Sequence, residues 1–262
     1  MVQREVRRAA VAGGLALLII GTVACGTADR AAVAVPAERN APASTPADGK
    51  STGAPAASAT VSGASDTRVP RKRVVLLGTS LTAGLGLDPD RAYPALLQRK
   101  IDSAGFPLTL VNAGLSGETS ACALRRADWV LDQPAAAVIL EVGANDGLRG
   151  VDPDSTKANI VALIRTVARR QPSARILLMQ MEAPTNLGRS YTTRFHAVYP
   201  EAARETNVTL LPFLLEGVAG DARLNQADGI HPNVEGSKRV AETVWRALAP
   251  ILTGFQTSAA TR

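Results

Sequence analysis

Two stretches far apart in this 262-residue chain hold the side chains of nucleophilic catalysis. Gly78-Thr79-Ser80-Leu81-Thr82-Ala83-Gly84 supplies a hydroxyl, and Asp228-Gly229-Ile230-His231-Pro232 supplies an imidazole with a carboxylate three residues ahead of it. A serine hydroxyl is a weak nucleophile until a base takes its proton, and imidazole is suited to that task near neutral pH. His231 in turn needs an acceptor on its second ring nitrogen to hold the productive tautomer, and Asp228, on a tight glycine-containing loop, is within reach. The remaining requirement is a set of donors for the charge that develops on a carbonyl oxygen under attack. The candidates are the backbone N–H groups of Ser80 and Gly114 and the side-chain amide of Asn145, the last two within Asn112-Ala113-Gly114-Leu115-Ser116-Gly117 and Gly143-Ala144-Asn145-Asp146-Gly147.

These blocks need a scaffold that brings them to one edge. Val74-Val75-Leu76-Leu77 is a short apolar run stopped by Gly78, and comparable runs follow at Leu108–Val111, Ala137–Val142, Arg175–Met179 and Val208–Leu211. Such runs read as strands buried on both faces of a parallel sheet. Between them lie helical spacings: Tyr93, Leu96, Leu97, Ile101; then Ile160, Leu163, Ile164, Val167; then Val240, Val244, Leu248, Ile251, with weaker periodicity over 117–132 and 190–206. This alternation predicts an open α/β sheet with helices on both faces, and right-handed crossovers then place the chemistry-bearing loops on one rim. The segments after Asn145 and Met181 are expected to shape the pocket.

Singly, each piece is ordinary. A serine in a glycine-flanked turn caps helices, and Asp228-Gly229 and Asn145-Asp146-Gly147 are good turn chemistry. His196, in a helical stretch with no acid partner in view, reads as a surface or half-buried residue. Cys122, in a helix-like segment with no partner for a bridge, reads as a small core residue. Jointly, Ser, Gly, Asn and Asp-x-x-His in this order at strand ends are hard to ascribe to turns.

In that order the blocks resemble the SGNH, or GDSL, hydrolase family, whose namesake residues here are Ser80, Gly114, Asn145 and His231. The resemblance spans residues 73–252. Gly143-Ala-Asn-Asp-Gly-Leu-Arg-Gly150, Leu177-Leu-Met-Gln180, Tyr199-Pro200, Leu210-Leu-Pro-Phe213 and Asp228-Gly-Ile-His-Pro-Asn233 are similar to its bacterial thioesterase/lysophospholipase/arylesterase branch. It implies a flavodoxin-like three-layer α/β/α fold with a five-stranded parallel sheet. It also implies hydrolysis of carboxylic esters or thioesters, lysophospholipids among them, through an acyl-enzyme with a Ser80-His231-Asp228 triad and neither metal nor cofactor. One departure stands out: the first block usually reads Gly-Asp-Ser-Leu, and Thr79 replaces the aspartate, which puts the loop geometry and activity level in question.

Composition narrows the other classes. Two cysteines, Cys25 and Cys122, rule out a disulfide scaffold, and two histidines argue against a multi-histidine metal centre. The net charge of +6 is carried mostly outside the folded body, because residues 74–262 hold 19 cations against 18 anions. With aromatics at 3 %, no nucleic-acid partner is expected. Residues 1–25 read as an export signal: Arg4, Arg7 and Arg8, an uncharged run from Ala9 to Ala24, then Thr22-Val23-Ala24-Cys25. That ending resembles a lipoprotein cleavage box, with Thr22 where leucine is usual, and predicts lipidation of Cys25 and a membrane tether. Residues 26–72, rich in Ala, Pro, Ser and Thr, read as a disordered linker, and 73–262 as the hydrolase domain. The expected location is the outer face of the cell membrane, or secreted, and the expected partner a small acyl ester or thioester.

Three alternatives stand beside this reading. Gly78, Gly84 and Gly86 do not match the spacing of a phosphate-cradling loop. An α/β-hydrolase elbow requires G-x-S-x-G, and Thr82 occupies its last position. A weak or inactive lipid- or glycan-binding lipoprotein on the same scaffold is separated from the enzyme by whether a fluorophosphonate labels Ser80.

Overall fold

The computed structural model describes residues 70–256, with side chains to residue 254. The expected export signal with Cys25, and the linker as far as residue 69, lie outside the described residues.

Five strands form one parallel sheet in the order β2-β1-β3-β4-β5: β1 Lys72–Gly78, β2 Leu108–Gly114, β3 Ala137–Glu141, β4 Arg175–Gln180 and β5 Thr209–Phe213. This is the flavodoxin-like order, with its switch point between β1 and β3. Val74 to Leu77 and Ala137 to Leu140 are all at most 1 % exposed, which is why these strands lack polar alternation. Edge strand β2 has one buried residue, Leu108. The helices are α1 Ser80–Ala83, α2 Tyr93–Ser103, α3 Ser120–Val130, α4 Ala144–Arg149, α5 Pro153–Arg170, α6 Arg189–Thr206 and α7 Val234–Gln256. Helix α2 packs with α7, while α3, α5 and α6 pack side by side, giving a helical layer on each face of the sheet. In α5, Asp152 caps the helix through the Ser155 N–H (3.1 Å), Pro153 occupies the first turn, and Ile160, Leu163, Ile164 and Val167 face the core. The α7 stripe runs Val240, Val244, Leu248, Leu252, with Ile251 half-buried beside it.

The register levels the strand ends that matter. Gly78 pairs with Gly114 on one side and with Glu141 on the other. The loops that leave β1, β2 and β3 therefore start side by side on one rim. Gly114 is there for space: a Cβ would lie 2.2 Å from the Ala83 nitrogen and 2.7 Å from the Thr82 carbonyl carbon, so only glycine lets α1 lie against β2.

Candidate active site

Ser80 is the first residue of α1, a single turn that follows β1 directly and closes on Gly84 in the left-handed region (φ 76°). Thr79 is its N-cap, accepting from the Leu81 N–H at 3.5 Å. Beneath the turn lies Glu141, at the end of β3 and 1 % exposed. Its carboxyl accepts from the Thr79 N–H (2.8 Å), the Thr79 hydroxyl (2.9 Å) and the Thr82 hydroxyl (2.8 Å), and Thr82 in turn meets the Tyr93 hydroxyl at 2.7 Å. Burial pushes Glu141 up to about 7; the Thr79 N–H and the Thr82 and Thr79 hydroxyls oppose that rise.

The imidazole comes from a loop pinned by its own backbone. Asn225 and Pro232 form an isolated antiparallel bridge, and the Gln226 N–H donates to the His231 carbonyl at 2.7 Å. Within that loop, Asp228 Oδ1 accepts from the backbone N–H groups of Ile230 (2.9 Å) and His231 (3.0 Å), and Oδ2 lies 2.6 Å from His231 Nδ1. Partial burial works to raise the Asp228 carboxyl, but the His231 N–H, the His231 ring and the Ile230 N–H outweigh it and hold it at about 2. As a carboxylate, Asp228 can only accept, so the Nδ1–H of His231 donates to it and Nε2 is left as an acceptor. Nε2 lies 2.8 Å from Ser80 Oγ across 151 positions of sequence. The loop is seated on the β1–α2 connection by Gln226, whose amide donates to the Leu85 carbonyl at 2.7 Å.

The expected oxyanion donors are arranged differently from one another. The Ser80 N–H, at the first position of its helix, meets no acceptor among the described residues. One hydrogen of the Asn145 amide donates to the Glu118 carbonyl at 3.0 Å, which fixes the side chain and leaves the second hydrogen available. The Gly114 N–H is already engaged: it donates to its strand neighbour Asn112 Oδ1 at 2.9 Å, and Asn112 is held by the Thr82 carbonyl at 2.8 Å. Gly114 is thus corrected from a donor to a packing residue. Three residues on, exposed Gly117 sits at φ 78°, and its N–H meets no acceptor among the described residues. Beside Ser80 and Asn145 opens a groove of about 400 Å³ walled by Leu148, Met181, Ala183, Phe213, Leu215 and Ile230. The segments after Asn145 and Met181 do line it, within the size range of small-molecule sites.

A model of the GDSL-like lipase/acylhydrolase family matches residues 76–239. The chain belongs to this family. It is 38 % identical over 180 residues to Esterase TesA of Pseudomonas aeruginosa, covering 68 % of this chain and 89 % of that protein. It is equally identical, 38 % over 180 residues, to thioesterase 1/protease 1/lysophospholipase L1 of Escherichia coli K12, covering 68 % and 84 %. Among solved structures, that of TesA superposes with a TM-score of 0.66 at 37 % identity, covering 69 % of this chain and 99 % of that one. The psychrotrophic esterase EstA from Pseudoalteromonas gives 0.66 at 33 % identity, covering 70 % and 99 %. This protein is accordingly a GDSL-type hydrolase of carboxylic esters with the three-layer α/β/α fold.

Three ionisable residues of this GDSL hydrolase that bear on the site were not singled out from sequence. Glu141 is the first. The other two are Glu118, whose side chain is 1 % exposed, and Arg126 of α3, which meets both Glu118 oxygens (2.5 and 2.6 Å) and donates to the carbonyls of Ala113 (2.7 Å) and Gly78 (3.4 Å). A charge ending the apolar run Ala137-Val-Ile-Leu-Glu141 was the available signal for the first. Two peripheral expectations change. His196 does have an acid partner, Glu182 Oε1 at 2.7 Å, contributed by the loop after β4. Cys122 is half-buried in the first turn of α3, within reach of the Thr119 hydroxyl (3.3 Å), rather than in the core.

Proposed function

We propose that this hydrolase cleaves acyl esters or thioesters, lysophospholipids included, through a covalent acyl-enzyme on Ser80. The observation that supports it is the unbroken hydrogen-bonded line Ser80–His231–Asp228 at the mouth of an apolar groove. His231 Nε2 takes the hydroxyl proton as Ser80 Oγ attacks the carbonyl carbon, and Asp228 stabilises the imidazolium that forms. The oxyanion is received by the Ser80 N–H, the outward Asn145 amide hydrogen and, in place of Gly114, the Gly117 N–H. His231 then protonates the leaving oxygen or sulfur, and repeats the cycle with water to release the acid. The apolar walls of the groove suit an acyl chain, in keeping with the esterase and lysophospholipase names of the relatives.

The N-terminal sequence supports export, with lipidation of Cys25 tethering the enzyme to the outer face of the membrane. Conversion of Cys25→Ala is then expected to move the enzyme from the membrane fraction to the medium. For the chemistry, a fluorophosphonate should label the parent at Ser80, while Ser80→Ala and His231→Ala should abolish p-nitrophenyl ester turnover with the fold intact. Turnover retained in either variant overturns the assignment.

A further inference from the structure

The threonine that departs from the family's Gly-Asp-Ser-Leu block is not a neutral replacement, because of what lies beneath it. Thr79 gives Glu141 two hydrogen bonds from one residue, the backbone N–H to Oε2 and the hydroxyl to Oε1, and Thr82 gives a third. All three donors belong to the segment that carries the nucleophile. The carboxyl has no outlet to water, being 1 % exposed, with Thr79 and Thr82 at 0 %. A carboxylate can accept every one of these bonds, whereas a carboxylic acid turns one lone-pair site into a donor facing donors. An aspartate at position 79 would instead set two carboxyls against each other, and such a pair cannot both ionise readily.

We propose that Glu141 is a positioning residue that acts as a carboxylate to hold the Gly78–Ser80 turn, and with it the Ser80 hydroxyl and N–H, and that Thr79 is the donor that keeps it charged. The inference rests on Ser80 being the nucleophile. The other polar groups around Glu141 do not supply the charge balance. Tyr93 of α2 and Tyr199 of α6 are held neutral, both pushed far up by burial and further by Glu141 itself. Arg126 of α3 reaches the Gly78 carbonyl but pairs with Glu118, and Asp146 of α4 adds negative charge while being bonded by Ser120. Burial, opposed by the Thr79 and Thr82 donors, pushes Glu141 up to about 7. Protonation of Glu141 as pH falls then loosens the turn, and ester hydrolysis loses activity with it.

The test compares Thr79→Ser, which keeps the hydroxyl, with Thr79→Val, which keeps the shape and removes it. Each is made in the parent and in Glu141→Gln, with kcat/KM for a p-nitrophenyl ester measured from pH 5 to 9 and thermal melts as a check on folding. The valine substitution is expected to move the acid limb upward by about one pH unit, roughly a tenfold loss on that limb, as befits one lost bond to a charged acceptor. Serine should leave the limb in place. In the Glu141→Gln background the difference between threonine and valine should shrink severalfold, since the charge they act on is gone. A limb unmoved by valine, or a valine effect undiminished beside Gln, overturns the inference. A parent that no fluorophosphonate labels overturns instead the reading of Ser80 on which it rests.

Discussion

Replacing Arg126 with leucine should expose how much the rim depends on one guanidinium. The substitution strands Glu118, whose side chain is 1 % exposed, as an unpaired charge. It also takes the donor from the Ala113 carbonyl. Removing one partner of a buried pair typically costs about 3–5 kcal/mol, whereas exchanging both for apolar residues is often close to neutral. For a body of this size each kcal/mol moves the melting temperature by about 2–4 °C, so Arg126→Leu should lower it by roughly 6–20 °C. The double variant with Glu118→Leu should recover most of that loss. Turnover should fall in the single variant as well, because the Glu118 carbonyl is what orients the Asn145 amide. Calorimetry on both proteins, with ester hydrolysis below the melting range, decides the matter. A single variant that melts within about 2 °C of the parent, or a double variant no more stable than the single, refutes the reasoning.

Asn145→Ala should lower kcat for a chromogenic ester by about 10²–10³ with little change in KM, since the lost donor acts on the transition state. Asp228→Asn should lower kcat by about 10⁴ by leaving the wrong imidazole tautomer facing Ser80. The same variant bears on stability. Asp228 is held at about 2, below its unfolded value of about 3.9, so its contribution is present above pH ~4 and is lost as pH falls toward 2. Urea unfolding of the parent should therefore weaken over that window more than that of Asp228→Asn, by a margin reduced by solvent screening because the side chain is 43 % exposed. Ala183→Trp should fill the groove and depress kcat/KM for octanoyl esters far more than for acetyl esters, measured as a chain-length series.

The parts legible in the sequence were those set by local pattern. Val74–Leu77 and Ala137–Leu140 announce themselves because both faces of a central strand are buried. Asp228 and His231 are legible as a pair because three residues on one turn suffice to join them. The parts that were missed are set by packing between distant segments. Which glycine presents its N–H depends on Asn112 claiming Gly114 and on α1 pressing against β2. The reach of Arg126 to Gly78 and Ala113 crosses three elements. Cys122 is not in the core because the stripe that α3 buries runs through Ala123, Ala127 and Val130 and leaves Cys122 at its edge. The Glu182–His196 contact joins a loop to a helix 14 residues on, a spacing that no single periodicity encodes.

Asp228 and His231 share one loop, closed on itself by the Gln226 N–H to the His231 carbonyl and bonded to the β1–α2 connection through the Gln226 amide. Beneath that footing is Gly86, where a Cβ would begin 2.1 Å from the Gln226 amide oxygen and the backbone is already left-handed at φ 77°. Any side chain there must push the Gln226 amide aside, at the expense of its bond to the Leu85 carbonyl. Glycine at position 86 is thus what lets the Gln226 amide seat this loop against Leu85.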